Sequence, residues 1–255
     1  MKFCVIASGS KGNCTYISSE YTNVLIDIGI SCANVEKKLS ELDVNSKDID
    51  AVVLTHTHND HINGLRVFLK KHNPKLYLTQ KMYDELSVLF PITNYEIITG
   101  DFDINDIRIT VFKTSHDSPD SNGYILESND KSIVYITDTG YINSKYFEKL
   151  KNKSVYIIES NHDIELLMNG KYPYHLKQRI LGDKGHLSNR DASYYLTKFI
   201  GENTKTIVLI HLSEENNDEE VALKTLNSAL KKENIEFENI IVSKQNSRTD
   251  VINVW

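Results

Sequence analysis

The stretch Thr55-His56-Thr57-His58-Asn59-Asp60-His61 places three histidines and a carboxylate within six residues. It stands where the apolar run Ile49–Leu54, read as a buried strand, gives way to a helix expected over Asp60–Lys71. At an extended strand end His56 and His58, two residues apart, project to one side, whereas Asp60 and His61 fall on the first helical turn and can face a second centre. Imidazole nitrogen and carboxylate oxygen are the ligands that zinc, iron and manganese take in hydrolytic sites. A chance surface cluster of histidines is the competing explanation, and the residues further along the chain argue against it.

His116, Asp138 and His211 each lie just past a β-type run, namely Ile107–Lys113, Ser132–Thr137 and Thr206–Ile210. Taken singly, each is an ordinary loop histidine or, in Thr137-Asp138-Thr139-Gly140, a turn aspartate. Together with the histidine-rich run they form a ligand set large enough for two metal ions. Further strands are expected at Lys2–Ala7, Cys14–Ser18, Asn23–Ile28, Lys75–Leu78, Tyr95–Ile98, Asn122–Glu127, Val155–Glu159 and Ile240–Val242. Helical spacing marks Cys32–Leu42, Gln80–Leu89, His162–Met168, His175–Leu181, Asn189–Ile200 and Asp218–Lys232. Two series of strands, each accompanied by helices, predict an α+β fold in which two sheets pack face to face with helices outside, a four-layer αββα sandwich. With no Pro/Gly/Ser-rich linker and no fixed-period repeat, residues 1–255 read as a single domain.

The 29 Lys and Arg against 35 Asp and Glu give a formal charge of −6, which excludes a strongly basic nucleic-acid coat. The N-terminal apolar stretch stops at Ser8, far short of a signal sequence, and no apolar run approaches the roughly 20 residues that cross a bilayer. A soluble, cytoplasmic protein with no membrane partner is expected. Cys4, Cys14 and Cys32 are odd in number and form no C-x-x-C pair, so they suggest neither a disulfide framework nor a cysteine zinc site.

The pattern H-x-H-x-D-H followed by a distant His, Asp and His resembles the metallo-β-lactamase superfamily, across essentially the whole chain. The resemblance implies the αββα fold and two divalent ions, zinc or manganese with iron as a further choice. One would be held by His56, His58 and His116 and the other by Asp60, His61 and His211, with Asp138 bridging. It also implies that Asp27, at the end of Val24-Leu25-Ile26-Asp27, orients the ligand loop from behind without binding metal. Two ions about 3.5–4 Å apart can activate a shared water and polarise the bond being cleaved. His58 stands where the flavin-linked di-iron branch carries a glutamate, and Asp138 stands where the main β-lactamase subclass carries a cysteine.

Two more segments resemble the YycJ/WalJ-type branch, near tRNase Z and the phosphodiesterase PhnP. Gly185-His186-Leu187-Ser188-Asn189 opens a helix, and Val155–Glu159 ends in the polar run Ser160-Asn161-His162-Asp163. By that likeness His186 would protonate the leaving group, with Glu159 orienting it and Asp163 the rival for that part; Asp60, His186 and Glu159 form the expected catalytic set. In Ser8-Gly9-Ser10-Lys11-Gly12-Asn13, Ser10, Lys11 and Asn13 can cradle a phosphate, or the loop is a tight hairpin turn. Ser188 can join in binding or serve only as helix N-cap. The branch implies a 5′-to-3′ exonuclease on double-stranded DNA. A small-molecule hydrolase for a lactone, thioester or cyclic phosphodiester is the alternative, and a non-catalytic regulatory protein the last. The acidic balance argues against DNA, since phosphate neutralisation dominates such binding. Lys149, Lys151, Lys153, Lys171, Lys177, Arg179 and Lys184 offset it as one basic rim, or are scattered solvated residues, and Tyr172, Tyr174, Tyr194 and Tyr195 can stack on unpaired bases or pack the rim. Oligomeric state is not readable from the sequence.

Overall fold

The computed structural model describes residues 1–245 and 247–255. The strands are β1 (Lys2–Ala7), β2 (Cys14–Ser18), β3 (Asn23–Ile26), β4 (Ala51–Val53), β5 (Lys75–Leu78), β6 (Tyr95–Ile97) and β7 (Phe102–Ile104). They continue as β8 (Ile107–Lys113), β9 (Asn122–Ser128), β10 (Lys131–Ile136), β11 (Val155–Glu159), β12 (Thr206–Ile210), β13 (Ile240–Val242) and β14 (Ile252–Asn253). One sheet has the order β14-β1-β2-β3-β4-β5-β6 and the other β13-β12-β11-β10-β9-β8-β7. Residues 2–97 thus build one sheet and residues 102–242 the other, except that β14 returns to cover the β1 edge of the first.

Side-chain alternation along the strands makes the layers. In β10, β11 and β12, Ile133, Tyr135, Val155, Ile157, Val208 and Ile210 enter the core between the sheets, while Val134, Ile136, Tyr156, Ile158, Ile207 and Leu209 face the outer helices. A strand buried on both faces reads as a continuous apolar run, as these do. Each such side chain contributes about 1.5–3 kcal/mol by leaving water. Among the described residues the helices are α1 (Cys32–Ser40), α2 (Asn59–Ile62), α3 (Leu65–His72), α4 (Gln80–Ser87), α5 (Phe147–Leu150), α6 (Ile164–Asn169), α7 (Tyr174–Leu181), α8 (Asn189–Phe199) and α9 (Glu219–Lys232). Val35 and Leu39 of α1, Leu65 and Phe68 of α3, and Met82 and Leu86 of α4 pack on the outside of the first sheet. Ala192, Leu196 and Phe199 of α8, with Ala222, Leu226 and Leu230 of α9, cover the second. The four-layer αββα sandwich is the observed architecture.

The helix expected over Asp60–Lys71 is two helices, α2 and α3, separated at Asn63 and Gly64. Gly64 donates its N–H to Ile28 O at 2.9 Å, and a Cβ there would lie 2.1 Å from Ile30 O. That backbone crossing stops one helix and restarts another. The helix expected from His162 begins at Ile164, because Asp163 Oδ1 accepts from the N–H groups of Glu165 and Leu166 as N-cap. The short β7 and β14 and the single-turn α5 carry too few residues for periodicity to reveal them. Among the described residues no helix is long and apolar enough to cross a membrane.

Candidate metal centre

The site lies outside the carboxyl ends of the parallel strands. β3 and β4 are parallel in the first sheet, and β10, β11 and β12 in the second. Asp27 follows β3, the His56–His61 run follows β4, Asp138 follows β10, Glu159 ends β11 and His211 follows β12. Asp27, Asp138 and His211 have left-handed backbones, with φ of 59°, 47° and 57°. Side chains other than glycine rarely hold that conformation, at a cost on the order of 1–3 kcal/mol, and here it turns the residue off the strand line towards the site.

The expected ligand atoms form two neighbouring clusters, His56, His58 and His116 in one and Asp60, His61, Asp138 and His211 in the other, and Glu159 and His186 join Asp138 and His211 in an overlapping group. His116 Nε2 stands 3.1 Å from His58 Nδ1, and the ring of His56 lies 4.8 and 5.0 Å, centre to centre, from those of His58 and His116. In the second cluster His61 Nε2 is 3.1 Å from Asp138 Oδ2 and 3.5 Å from Asp60 Oδ2, and His211 Nε2 is 3.4 Å from Asp60 Oδ2. Asp138 Oδ1 lies 3.8 Å from His116 Nε2 and 3.6 Å from His211 Nε2, so this carboxylate stands between the clusters.

A surrounding set of hydrogen bonds turns each ring. Asp27, fully buried, accepts from His61 Nδ1 at 2.7 Å, from Thr55 N at 2.8 Å and from Thr55 Oγ1 at 2.7 Å. His116 Nδ1 donates to Gly185 O at 3.1 Å, and His56 Nδ1 meets Thr55 Oγ1 at 3.0 Å. Glu159 Oε1 accepts from both His211 Nδ1 and His186 Nδ1, at 2.9 and 2.7 Å. With each Nδ1 committed outward, the Nε2 atoms of His56, His61, His116 and His211 are left for the centre. Burial, then the neighbouring His61, holds His56 well below the ordinary histidine range, and burial lowers His116; both imidazoles are thus neutral, the form that binds metal. Burial opposes a charge on His211, but Asp138, Asp60 and Glu159 outweigh it and raise it to about 10. Burial alone would raise Glu159, yet His186 and His211 bring it down to about 2, so it is ionised.

A family model for the beta-lactamase superfamily domain matches residues 22–212. The chain is a member of the metallo-β-lactamase superfamily. Within it, the chain is 37% identical over 232 residues to the exodeoxyribonuclease WalJ of Streptococcus pneumoniae, covering 88% of this chain and 86% of that protein. It is 34% identical over 235 residues to the exodeoxyribonuclease YycJ of Bacillus anthracis, covering 90% and 89%. The metallo-β-lactamase fold protein YhfI of Bacillus subtilis superposes with a TM-score of 0.70 at 17% identity, covering 97% of this chain and 98% of that one. Human tRNase Z, short form, gives 0.66 at 14%, covering 98% and 99%.

The superfamily's metal requirement fits the residues present. His56 Nε2 is buried and has no hydrogen-bond partner, a costly state for an imidazole nitrogen unless an ion takes its lone pair. The donor set of imidazoles and carboxylates suits a divalent ion of the zinc, manganese or iron kind.

The candidate ligands therefore come together with Asp27, Glu159 and His186, whereas the expected substrate contacts separate. Ser10 lines the cleft of about 240 Å³ over the metal clusters. Asn13 is buried behind it, its amide donating to Asp60 Oδ2 at 3.2 Å and Gly9 O at 3.1 Å, so it braces a candidate ligand and does not reach the cleft. Lys11 is turned outward onto Glu214 at 2.6 Å. Residues 8–13 form a tight turn closed by Gly12 N to Gly9 O, and Ser8 Oγ accepts from His211 N at 2.7 Å. Ser188 is buried as the N-cap of α8 and bonded to Asp191. Asp163 caps α6 and makes no contact with His186, which leaves Glu159 as its carboxylate partner. His162 is buried with neither ring nitrogen bonded, and burial lowers it to about 4.

Of the expected basic rim, Arg179 reaches the cleft, where its Nε donates to Asp117 Oδ2 at 2.5 Å; Lys177 is buried under carbonyls of Met168 and Gly170, and Lys151 and Lys153 pair with Glu148 and Glu127. Tyr172 lines the cleft, Tyr174 and Tyr194 are exposed on helices, and Tyr195 packs against Phe199. Asp117 is not marked by any motif of the sequence, and Asn161 is marked only as part of the polar run after β11. Asp117 Oδ1 lies 3.5 Å from His116 Nε2 and 3.6 Å from His58 Nε2, and Asn161 Nδ2 donates to His211 O at 3.0 Å. Adjacency to His116 was the only signal for Asp117.

Proposed function

We propose that residues 1–255 act as one domain, a metal-dependent 5′-to-3′ exonuclease on double-stranded DNA, loaded with zinc or manganese. The observation that carries the reading is the Glu159–His186 pair set against the Asp138 cluster, in a chain whose relatives of similar length are named exodeoxyribonucleases. His56, His58 and His116 would hold one ion; Asp60, His61 and His211 would hold the other, with Asp138 shared. Ions in those positions supply Lewis-acid polarisation of the phosphodiester and lower the pKa of a water.

The protein's own groups supply the rest. Glu159, ionised, takes the Nδ1 proton of His186 as a hydrogen bond and leaves Nε2 as the ring nitrogen free for the cleft. Burial opposes a charge on that ring, but Glu159 raises its proton affinity, so the imidazolium can give a proton to the departing deoxyribose oxygen. Arg179 is placed to meet a phosphate, and Tyr172 offers a face to an unpaired terminal base. Cleavage of 3′-labelled linear duplex in the presence of zinc or manganese tests the reading. Stepwise loss from a free 5′ end, with circular duplex spared, is the expected result. Inactivity on DNA by protein that turns over lactones or thioesters would overturn it.

A further inference from the structure

Cys32, Glu36 and His72 bring a thiol, a carboxylate and an imidazole to one point between α1 and α3, in the helix layer that covers the first sheet. Cys32 and Glu36 are four apart on α1 and so share a helix face; His72 closes α3, the neighbouring helix. Cys32 Sγ is 3.4 Å from Glu36 Oε1, and His72 Nε2 is 2.6 Å from the same oxygen. The three ligand atoms all lie within 4.8 Å of one another. Bonds of about 2.3 Å to sulfur and 2.0–2.2 Å to nitrogen and oxygen require ligand separations of this order, with a small outward shift of Glu36.

The surroundings suit an ion. The Cys32 and His72 side chains are nearly buried, and the His72 ring packs on Phe68 with centroids 4.7 Å apart, which limits its rotation. His72 Nε2, the nitrogen already directed at Glu36, is the one that would meet the ion, and the buried Nδ1 would carry the ring proton. On the Glu36 side a surface hollow of about 490 Å³, bordered by Glu36, Lys71 and His72, leaves room for a water as fourth ligand. Lys71 also pairs with Glu36, at 2.7 Å to Oε1 and 2.9 Å to Oε2, but its side chain is mostly exposed and can keep the second oxygen.

We propose that Cys32, Glu36 and His72 form a third metal site, separate from the two catalytic clusters, that takes Zn²⁺ as a structural ion. Binding releases the Cys32 thiol proton to solvent as the Zn–S bond forms, and moves the proton of the neutral His72 ring from Nε2 to Nδ1, so that the Nε2–H to Glu36 hydrogen bond gives way to one bond from each residue to the metal. Thiolate favours zinc over manganese or magnesium, so the site discriminates by softness where the catalytic clusters, with oxygen and nitrogen only, do not. Its consequence is mechanical. α3 follows α2, the helix bearing Asp60 and His61, after only Asn63 and Gly64, and the segment between β3 and α1 carries Asp27 and Ile28, whose carbonyl receives Gly64 N. An ion joining α1 to α3 clamps both segments behind the catalytic ligands.

Cobalt substitution reads the site without reference to catalysis. Among the described residues the catalytic clusters contain no cysteine, and Cys4 and Cys14 belong to no metal-capable group. A near-ultraviolet sulfur-to-Co²⁺ charge-transfer band therefore reports Cys32 alone. Saturated wild-type protein should show that band and bind one more equivalent of Co²⁺ or Zn²⁺ than Cys32→Ser, which should lose the band. His72→Gln, which keeps the thiol, should lower the extra equivalent's affinity by at least tenfold, and Cys4→Ser should keep both band and stoichiometry. Wild-type protein without the band, or equal metal content in wild type and Cys32→Ser, would overturn the proposal, as would a band that survives in Cys32→Ser.

Discussion

Glu159 Oε1 stands 2.7 Å from His186 Nδ1, and that single contact ties the candidate proton donor to the same carboxylate that orients the candidate ligand His211. One buried acid thus serves a ring that faces metal and a ring that faces substrate. The two services can be separated by mutation.

His186→Ala should lower DNA cleavage about 10²–10⁴-fold, the usual worth of general acid assistance, while both catalytic metals remain bound. The loss should shrink on bis-p-nitrophenyl phosphate, whose leaving group departs without a proton. Elemental analysis alongside rates on both substrates checks this; equal losses on the two would show that the ring positions phosphate instead.

Glu159→Gln removes the charge that raises the proton affinity of His186. A general acid works below its pKa and fails as pH rises through it. The alkaline limb of the pH–rate profile should therefore move to lower pH in Glu159→Gln, with activity at the acidic end less affected. An unshifted limb would separate Glu159 from the proton donor.

Asp138 stands between the two clusters, so Asp138→Ala should release at least one metal and reduce cleavage by 10³-fold or more, roughly the several kcal/mol that metal polarisation supplies. Chelation of wild-type protein should reproduce the loss, and zinc or manganese should restore wild type but not the variant.

Arg179→Ala should raise KM for DNA more than it lowers kcat, and should reduce the slope of log binding constant against log salt by about 0.9 if the guanidinium neutralises one phosphate. Binding titrations at several ionic strengths measure it. An unchanged slope would mean that Arg179 serves only its pair with Asp117.

Gly29→Ala tests the turn that seats Asp60. A Cβ at residue 29 would lie 1.7 Å from Asp60 O and 2.4 Å from Asn13 N, both backbone atoms that cannot swing aside. A loss of roughly 3 kcal/mol or more is expected, near the upper end of overpacking costs. At about 2–4 °C per kcal/mol for a chain of this size, thermal unfolding should show it clearly.

The candidate ligand residues that the fold brings together were legible as candidates because each sits in a local context that a sequence displays: a histidine-rich run at a strand end, and single His or Asp residues directly after apolar runs. The layered fold was legible for the same reason, since β10, β11 and β12 are buried on both faces and read as unbroken apolar stretches. Short elements were not. β7, β14 and α5 owe their conformation to the neighbours they meet, and the break at Asn63 and Gly64 follows from the crossing of Ile28–Ile30, which no pattern within residues 60–71 encodes.

What the chain determined by itself is the chemistry available, a set of imidazoles and carboxylates delivered by strand ends, because residue type and strand periodicity are local properties. Tertiary structure alone decided which of those groups work together. Glu159 and not Asp163 meets His186, since Asp163 is spent on capping α6 while β11 delivers Glu159 beside β12. Asn13 braces Asp60 instead of touching substrate, Lys11 turns to Glu214, and Asp117 joins Arg179 at the cleft. Each of these contacts joins residues dozens to hundreds of positions apart, and a contact at that range exists only once two sheets have packed and their loops have met.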